Sequence, residues 1–286
     1  MTPEQRRAVV SHYRGAARSE RQSCRWLGVP RATVRYRSRR TPTPELTARV
    51  RELAVAKPRW GSPRLTCRLR RDGWHVNHKR IERLLRVERL LVGQRPRRKR
   101  VAMARVPTML PVRANERWSM DFVRDTLANG RPFRIWTLVD DATRECPLLL
   151  VDRSLPAARV VEALHFLCGA RGTPRAIVCD NGPEFVSLAL DQWAAAHDVT
   201  LAFIRPGHPV ENCFVESFNG KLRDECLNLH HFTSLGEAQT IIEQWRAEYD
   251  TDRPHQGLGC LTPAEMATML LAENAESHPI LRFRLE

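Results

Sequence analysis

The chain has 286 residues, 42% of them hydrophobic, so it can bury a sizeable core and is not a disordered polymer. Its net charge of +15 and its pI near 10.4 indicate a polyanionic partner rather than an acidic one. The sequence contains no run of about 18 apolar residues, and its N-terminus lacks a signal-peptide core, so we expect a cytoplasmic protein without membrane spans.

The charge is distributed unevenly along the chain. Residues 1–120 contain 32 Lys and Arg against 8 Asp and Glu, a net charge of +24. Residues 121–286 contain 15 against 24, a net charge of −9. Such a division predicts two modules with different roles, of which the first is suited to bind phosphates.

The first module begins with a helical pattern. Residues 19–37 predict two helices joined by a turn, with Gly28 ending the first helix and Pro30 in the turn. This is a helix-turn-helix pattern, and Arg35 is a candidate for DNA contact on its second helix. Any helical hairpin with a Gly turn has a similar sequence, so an ordinary hairpin remains the alternative.

A second helical pair is predicted after the stiff linker T-P-T-P at 41–44. Ser62 is expected to cap the first of these helices, Gly73 to end it, and Asn77 to cap the next. The next helix carries an apolar stripe opposite an Arg-rich face that could rest on phosphates. The stripe consists of Ile81, Leu84, Leu85 and Leu91.

The basic run Q-R-P-R-R-K-R at 94–100 joins this module to the second half of the chain. A run of this kind is usually a solvated tail, but its position between two modules favours contact with a phosphate backbone. The predicted DNA-contacting residues are Arg97, Arg98, Lys99 and Arg100.

The eight cysteines are scattered and include no C-x-x-C pair, so we expect reduced, buried thiols. His75 and His78 have a spacing that could bind a metal ion. Because no pair of cysteines lies near them, a zinc site is not expected there.

The second half of the chain predicts a mixed α/β sheet. Three strand-like runs lie between residues 117 and 152, and Asn129-Gly130 predicts a hairpin between the first two. The first run alternates, which places Asp121 on one face and Trp118 on the other. Helices over 157–170 and 185–197 then alternate with strands over 175–179 and 199–205, which predicts helices on the faces of the sheet.

A helix is also predicted around Glu216. On a helical wheel, Phe214, Val215, Phe218 and Leu222 group on one side. The other side holds Asn212, Glu216, Asn219, Gly220 and Arg223. The apolar side is expected to pack on the sheet. Gly220 is unfavourable inside a helix, and close approach of a DNA backbone is one explanation for it, with a local kink as the alternative.

Three carboxylates are the candidate catalytic residues: Asp121, Asp180 and Glu216. Each alone has an ordinary explanation, such as a water-facing strand residue, an Asx-turn before Gly182, or an ion pair within a helix. Together, with 35 residues between the last two, they are what a protein needs to hold two divalent cations against a phosphodiester. The combination predicts a metal-dependent site that acts on nucleic acid.

The segments R-W-G-S-P-R-L, R-W-S-M-D-F-V, D-N-G-P-E-F, F-I-R-P-G, E-S-F-N-G-K-L-R-D-E-C-L-N and R-P-H-Q-G-L resemble those of the DDE transposases of bacterial insertion sequences. The resemblance is to the integrase-like subunit encoded by the second of two overlapping reading frames, and it covers roughly residues 20–270. It implies an α/β ribonuclease H-like mixed sheet with flanking helices, preceded by a small all-α helix-turn-helix region.

By the same resemblance, Asp121, Asp180 and Glu216 form a metal-binding triad for Mg²⁺, with Mn²⁺ as a substitute and two ions expected. Arg223 matches the family's basic position seven residues after the Glu and would contact DNA, as would Asn212 and Lys221. The chain departs from relatives at Glu211, where an extra carboxylate could weaken DNA binding. No His/Cys zinc module precedes the catalytic domain.

We expect five regions: a helix-turn-helix-like segment at 1–40, a basic helical domain at 44–93, a linker at 94–114, the catalytic domain at 115–275 and a tail at 276–286. The expected partners are the terminal repeats of the element and target DNA, a second copy of the chain, and the upstream-frame subunit, as a frameshift fusion. Such a protein would be nucleoid-associated. The alternatives are a catalytically silent DNA-binding derivative and a nuclease without strand transfer.

Overall fold

The computed structural model describes residues 3–15, 19–36, 43–93, 111–182, 184–205 and 209–277. The chain divides into two compact units, residues 1–48 and residues 49–286. The predicted linker at 41–44 is described only from Thr43, and the basic run at 94–100 lies outside the described residues.

Three helices lie within the described residues 3–15 and 19–36 of the first unit: α1 (Pro3–Gly15), α2 (Glu20–Trp26) and α3 (Arg31–Arg35). Ser19 caps α2 in a capping box with Gln22. Gly28 follows α2 with a φ of +61°, a left-handed conformation that glycine adopts without strain. Two helices joined by a turn at Gly28 were predicted, and the structure confirms them.

The second unit begins with residues 49–93, which we call the helical segment. It contains most of α4 (Pro44–Ala56), which starts in the first unit, and the whole of α5 (Ser62–Arg71) and α6 (His78–Val87). Asn77 caps α6 by accepting a hydrogen bond from the Lys79 amide, as predicted. The predicted start of α5 is wrong by one residue, because Gly61 occupies the N-cap position and Ser62 is already helical. The predicted end of α6 is also wrong, since the helix stops at Val87 and Leu91 is 44% exposed beyond it.

A five-stranded mixed sheet follows, in the order β3-β2-β1-β4-β5. Strands β1 (Arg117–Thr126), β2 (Pro132–Asp140) and β3 (Leu148–Asp152) are antiparallel. Strands β4 (Ala176–Cys179) and β5 (Thr200–Phe203) run parallel to β1. The predicted hairpin between β1 and β2 is present, with Gly130 at a φ of +79°. The chain therefore has the ribonuclease H-like mixed sheet that the sequence predicted.

Helices cover both faces of the sheet. On one face α7 (Ala157–Arg171) and α8 (Leu188–Ala196) pack around Trp118 and Met120. On the other face α9 (Cys213–Glu225) and α10 (Leu235–Thr251) pack around Val123. The last helix is α11 (Pro263–Ser277). Strand β1 thus alternates between two cores, as its sequence predicted.

Reduced, buried thiols were expected at all eight cysteines, and this expectation is wrong for four of them. Cys67 of α5 and Cys260 form a disulfide, although 193 residues separate them in sequence. Cys213 is a free thiol but is exposed, and Cys168 is half-buried. Sequence spacing gave no signal of the pair because only the packing of α5 beside the loop before α11 brings the two sulfur atoms together.

Within the described ranges, no helix is long and apolar enough to cross a membrane.

Candidate catalytic site

Asp121 lies at the centre of the sheet, on β1 and opposite Thr137 of β2. Its Oδ1 accepts a 2.7 Å hydrogen bond from the Phe122 amide, and its Oδ2 accepts a 2.8 Å bond from the Asn219 side chain. Both carboxylate oxygens are therefore oriented by fixed donors on different elements.

Asp180 follows the last residue of β4, the parallel neighbour of β1. Ser119 pairs with Val178 across these strands, so Asp121 and Asp180 each lie two residues further along the chain. Because side chains alternate in a strand, this step keeps the two carboxylates on the same side of the sheet. The sheet itself brings the first two acids of the predicted triad together.

The turn after Asp180 depends on Gly182. The Gly182 amide donates a 3.0 Å hydrogen bond to Oδ1 of Asp180, which is an Asx-turn. A Cβ atom at this glycine would stand 2.9 Å from the same oxygen and 3.1 Å from Oε2 of Glu184. The Asn181 side chain donates to the Ile204 carbonyl next to β5 and anchors the turn. The Asx-turn that was the ordinary explanation for Asp180 is thus present, and it fixes the carboxylate.

Glu216 lies in the first turn of α9, on its exposed side. The residues of that stripe are Cys213, Glu216, Ser217, Gly220 and Arg223. Val215, Phe218 and Leu222 point the other way and are buried in the core under β1 and β2. The predicted amphipathic helix is confirmed for most positions. Asn212 and Asn219, which were placed on the polar side, are 2% and 6% exposed, and Phe214, which was placed on the apolar side, is half-buried under the Arg144 guanidinium.

The three acids interact electrostatically. Burial raises the pKa of Asp121, and repulsion from the carboxylates of Asp180 and Glu216 adds to the shift, against the hydrogen bonds from Phe122 and Asn219. Among the described residues, no three His, Cys, Asp or Glu side chains converge closely enough to bind a metal ion in this conformation. His75 and His78 are among the described residues and belong to no such group.

The sequence did not single out Asn219 or Thr137 as site residues. Asn219 accepts a 2.9 Å hydrogen bond from the Thr137 hydroxyl while it donates to Asp121. The three side chains therefore form a chain of hydrogen bonds from β2 through α9 to β1. Nothing in the sequence signals this role, because the wheel places Asn219 with the polar residues of the helix.

The three predicted DNA-contacting residues near Glu216 differ in how far their side chains are exposed to solvent. Arg223 is exposed and, within the residues that the structure describes, makes no hydrogen bond or ion pair. Lys221 donates a 2.9 Å bond to the Ser217 hydroxyl, and burial next to the Arg253 guanidinium lowers its pKa to about 8. Asn212 is 2% exposed and donates to the Met120 carbonyl, so it has no surface to offer to DNA. Of these three residues, Arg223 is exposed, Lys221 is partly exposed and Asn212 is buried.

The remaining predicted contacts lie in the basic half. Arg35 donates a 2.7 Å hydrogen bond to Glu20, which Arg31 also contacts at 3.3 Å. An exposed pair of this kind contributes little stability and can exchange its carboxylate for a phosphate. Four further predicted residues lie outside the described residues: Arg97, Arg98, Lys99 and Arg100.

Glu211, the departure from the family pattern, is not an isolated negative charge. Its carboxylate accepts a 2.8 Å hydrogen bond from the Arg205 amide and a 2.7 Å bond from the Arg205 guanidinium. The arginine neutralises the extra carboxylate locally, so the repulsion of DNA expected from the sequence is offset.

The sheet order, the helices on both faces and the two acids on neighbouring strands, Asp121 within β1 and Asp180 just after β4, define a ribonuclease H-like protein of the polynucleotidyl transferase class. Two integrase core domain models match residues 111–209 and 197–263, and an HTH-like domain model matches residues 44–100.

Several curated proteins are similar over most of the chain. A 31.7 kDa protein of insertion element IS407 from Burkholderia multivorans is 46% identical and covers 87% of this chain and 90% of its own length. A 39.2 kDa protein of IS476 from Xanthomonas euvesicatoria is 43% identical, covering 91% and 75% respectively. The transposase InsF of IS3A from Escherichia coli is 25% identical, covering 76% and 80%. The chain belongs to the integrase-like transposases of insertion sequences.

Among solved structures, the simian T-cell lymphotropic virus intasome in complex with a PP2A regulatory subunit is similar at 15% identity. The match covers 77% of this chain and 74% of the intasome chain, with a TM-score of 0.49. The HTLV-2 integrase catalytic core in complex with magnesium is 16% identical and covers 54% and 96%, with a TM-score of 0.43.

Proposed function

We propose that the chain catalyses metal-dependent cleavage of the ends of its insertion sequence and transfer of the resulting strand to target DNA. The observation that carries the proposal is that Asp121 lies near enough to Asp180 and Glu216, on two other elements, for both carboxylates to raise its pKa. The family's role in transposition supports this assignment of the reaction.

The donor set fits divalent cations. Hard ions such as Mg²⁺ and Mn²⁺ prefer carboxylate oxygens. Burial raises the pKa of Asp121 most, and the added repulsion from Asp180 and Glu216 would be relieved by positive charge between the acids. When bound, two such ions would activate the attacking oxygen and stabilise the leaving one in an in-line displacement.

The protein's own contribution is position and charge. The hydrogen bonds from the Phe122 amide and Asn219 fix both oxygens of Asp121, and the Asx-turn at Gly182 fixes Asp180. Preorganised groups of this kind lower the cost of reaching the transition state. Arg223, on the same exposed stripe as Glu216, would hold a phosphate close to the reacting one.

The basic half would hold the DNA ends, mainly through phosphates. The HTH-like match over residues 44–100 supports this assignment, and Arg35 with the basic run at 97–100 would add contacts. The active assembly would contain more than one copy of the chain and the upstream-frame subunit, as a frameshift fusion.

The test is cleavage and joining of a labelled duplex that carries the element's end, with Mg²⁺ or Mn²⁺. Wild type, Glu216→Gln and Asp180→Asn are compared with Glu162→Gln, a matched change at an exposed residue of α7. Each protein is tested alone and fused to the upstream-frame product. We expect metal-dependent cleavage and joining with wild type and Glu162→Gln, and neither reaction with the two site variants, while DNA binding persists.

Three other results would point elsewhere. DNA binding without cleavage in every version would identify a silent DNA-binding derivative. Cleavage without joining of a pre-nicked end would identify a nuclease. Cleavage by Asp180→Asn at the wild-type rate would remove that residue from the triad.

A further inference from the structure

Among the residues that the structure describes, five ion pairs connect the helical segment to the helices of the catalytic domain. Each joins a cation between residues 57 and 71 to a carboxylate on α9, α10 or α11, or next to one of them. Arg71 and Glu265 form a two-point contact, with both distances 2.6 Å, and Arg64 contacts Glu225 at 2.9 Å. The other pairs are Lys57–Glu248, Arg59–Asp224 and Arg68–Asp252. The contact is therefore largely electrostatic.

The packing at this contact is incomplete. A cavity of about 420 Å³ lies between the end of α4 and helix α10, and its walls include Trp60, Trp245 and Tyr249. Partly exposed ion pairs such as Arg71–Glu265 individually contribute roughly 0–1 kcal/mol and weaken with salt, whereas Arg64–Glu225 is mostly buried. Without a covalent connection, such a contact is suited to open and close.

The Cys67–Cys260 disulfide supplies that covalent connection. The Cα atoms are 5.7 Å apart, within the usual range for a disulfide. Cys67 is 6% exposed on α5, whereas Cys260 is partly exposed to solvent. The more exposed sulfur is the one that a small thiol or disulfide would reach first.

The segment R-P-H-Q-G-L-G-C builds the turn that presents Cys260. The Cys260 amide donates to the His255 carbonyl at 2.8 Å, and the His255 amide donates to the Leu261 carbonyl at 2.9 Å. Cys260 has a φ of +75°, which a residue with a side chain rarely adopts unless its surroundings impose it. A sequence motif that the catalytic triad does not use therefore shapes the cysteine's position.

The disulfide also determines what the arginines of α5 contact. Arg64, Arg68 and Arg71 recur at helical spacing on the same side of α5 as Cys67. In the closed contact all three face carboxylates of the catalytic domain. The guanidinium group binds phosphate and carboxylate with the same geometry, so these residues could contact DNA only when the contact opens.

We propose that Cys67 and Cys260 are a reversible thiol–disulfide site that locks the helical segment onto the catalytic domain and withholds the α5 arginines from DNA. In the closing reaction, a small disulfide of the glutathione class is reduced to two thiols. The two cysteine thiols lose two protons and two electrons and form the bond, through a mixed disulfide at Cys260. A small thiol in excess reverses the exchange. The effect on DNA rests on the proposed function, whereas the disulfide itself does not.

The first test maps the bond in the full chain after treatment with oxidised or reduced glutathione. We expect a disulfide-linked peptide joining positions 67 and 260 in oxidised wild type and in Cys213→Ser, the control at an exposed free thiol. It should be absent from Cys67→Ser and Cys260→Ser. Alkylation of both cysteines in the oxidised wild type, or a different pairing, would overturn the proposal.

The second test measures binding of the element's end by the same proteins. Oxidised wild type and Cys213→Ser should bind on the order of tenfold more weakly than their reduced forms, because about three phosphate contacts are withheld. Cys67→Ser and Cys260→Ser should not respond to the oxidant. Agreement between these variants, one at a buried and one at a partly exposed position, separates loss of the bond from a folding defect.

Equal affinity of the oxidised and reduced wild type would overturn the regulatory role even if the bond forms. The proposed function fails on a different observation, namely the absence of metal-dependent cleavage by the reduced protein. The two failures are therefore distinguishable.

Discussion

The side-chain amide of Asn219 donates a 2.8 Å hydrogen bond to Oδ2 of Asp121, across 98 positions of sequence. The bond connects the helix that carries Glu216 to the strand that carries Asp121. Since Thr137 fixes the opposite end of the same amide at 2.9 Å, Asn219 is held in one orientation, with its NH₂ group toward Asp121. The positions of the two acids are thereby linked through one buried side chain.

Asn219→Ala should reduce metal-dependent cleavage by about 10- to 100-fold, the usual effect of removing a group that orients a metal ligand. The loss should appear mainly as a higher metal concentration for half-maximal activity, because Asp121 would no longer be held in position. Thr137→Val should shift the metal dependence in the same direction, whereas Thr137→Ser keeps the hydroxyl and should not. An unchanged metal dependence in Asn219→Ala would contradict this role.

Gly182→Ala should impair cleavage while leaving DNA binding near the wild-type level. The added Cβ would stand 2.9 Å from Oδ1 of Asp180, so the carboxylate or the turn must move. Gly220→Ala is the matched control, because a Cβ there meets no atom within 4 Å.

Gly220→Ala should itself stabilise the free protein by up to about 1 kcal/mol, because alanine favours a helix more than glycine does. Thermal unfolding of both glycine variants measures this difference. If Gly220→Ala nevertheless binds the element's end more weakly, the DNA backbone approaches α9 closely at that position. Full cleavage activity in Gly182→Ala would mean that Asp180 tolerates displacement.

Arg223→Ala should weaken binding of the element's end about equally for all sequences, because a phosphate contact carries no base information. It should also reduce the slope of log affinity against log salt by about 1. Arg159→Ala is the control, since Arg159 is an exposed arginine that pairs with Glu162 on α7. Salt titrations of all three proteins provide the measurement, and an unchanged slope in Arg223→Ala would exclude the contact.

The contact of the helical segment should weaken in acid. Burial alone would raise the pKa of Glu225, but Arg253 and Arg64 outweigh it and hold the value below the ordinary 4.5. The hydrogen bond from Arg71 likewise lowers the pKa of Glu265. A carboxylate with a lowered pKa contributes its full stabilisation above its unfolded value, and the stabilisation is lost as the pH falls through the lowered value.

Glu225→Gln should therefore destabilise the reduced protein by about 3 kcal/mol at neutral pH, because it leaves the 3% exposed Arg253 without its charge partner. Glu265→Gln, at an exposed pair, should cost less than about 1 kcal/mol. Denaturant unfolding measures both values. Below the lowered pKa values each difference from wild type should shrink, and a constant difference across pH would contradict the linkage.

The spacing of polar and apolar residues correctly predicted which side chains of β1 and α9 are buried and which are exposed, for most positions of both elements. The alternation of β1 predicted its two cores, and the wheel of α9 predicted that Glu216 and Arg223 share an exposed stripe. Such patterns succeed because burial acts on each side chain through the period of its own element. The start of α5 differed by one residue because Gly61 and Ser62 are both acceptable before Pro63.

Features that depend on contacts between distant residues gave no such signal. Asn219 resembles a surface residue on the wheel until Thr137 and Asp121 pair with it. The arginines of α5 resemble a free DNA-binding face until the acids of the catalytic helices meet them. The composition of a segment shows its charge, but only the tertiary structure shows which charges are already paired.

Helix α9, with 13 residues, makes functional contacts on three of its sides. One side carries Glu216, a second carries Asn219 toward Asp121, and a third carries Asp224 and Glu225 toward the arginines of the helical segment. A regular helix of this length moves as one rod. Opening of the contact for DNA would therefore release one side of the helix that carries Glu216 and, through Asn219, touches Asp121, so the helical segment and the acids would respond together.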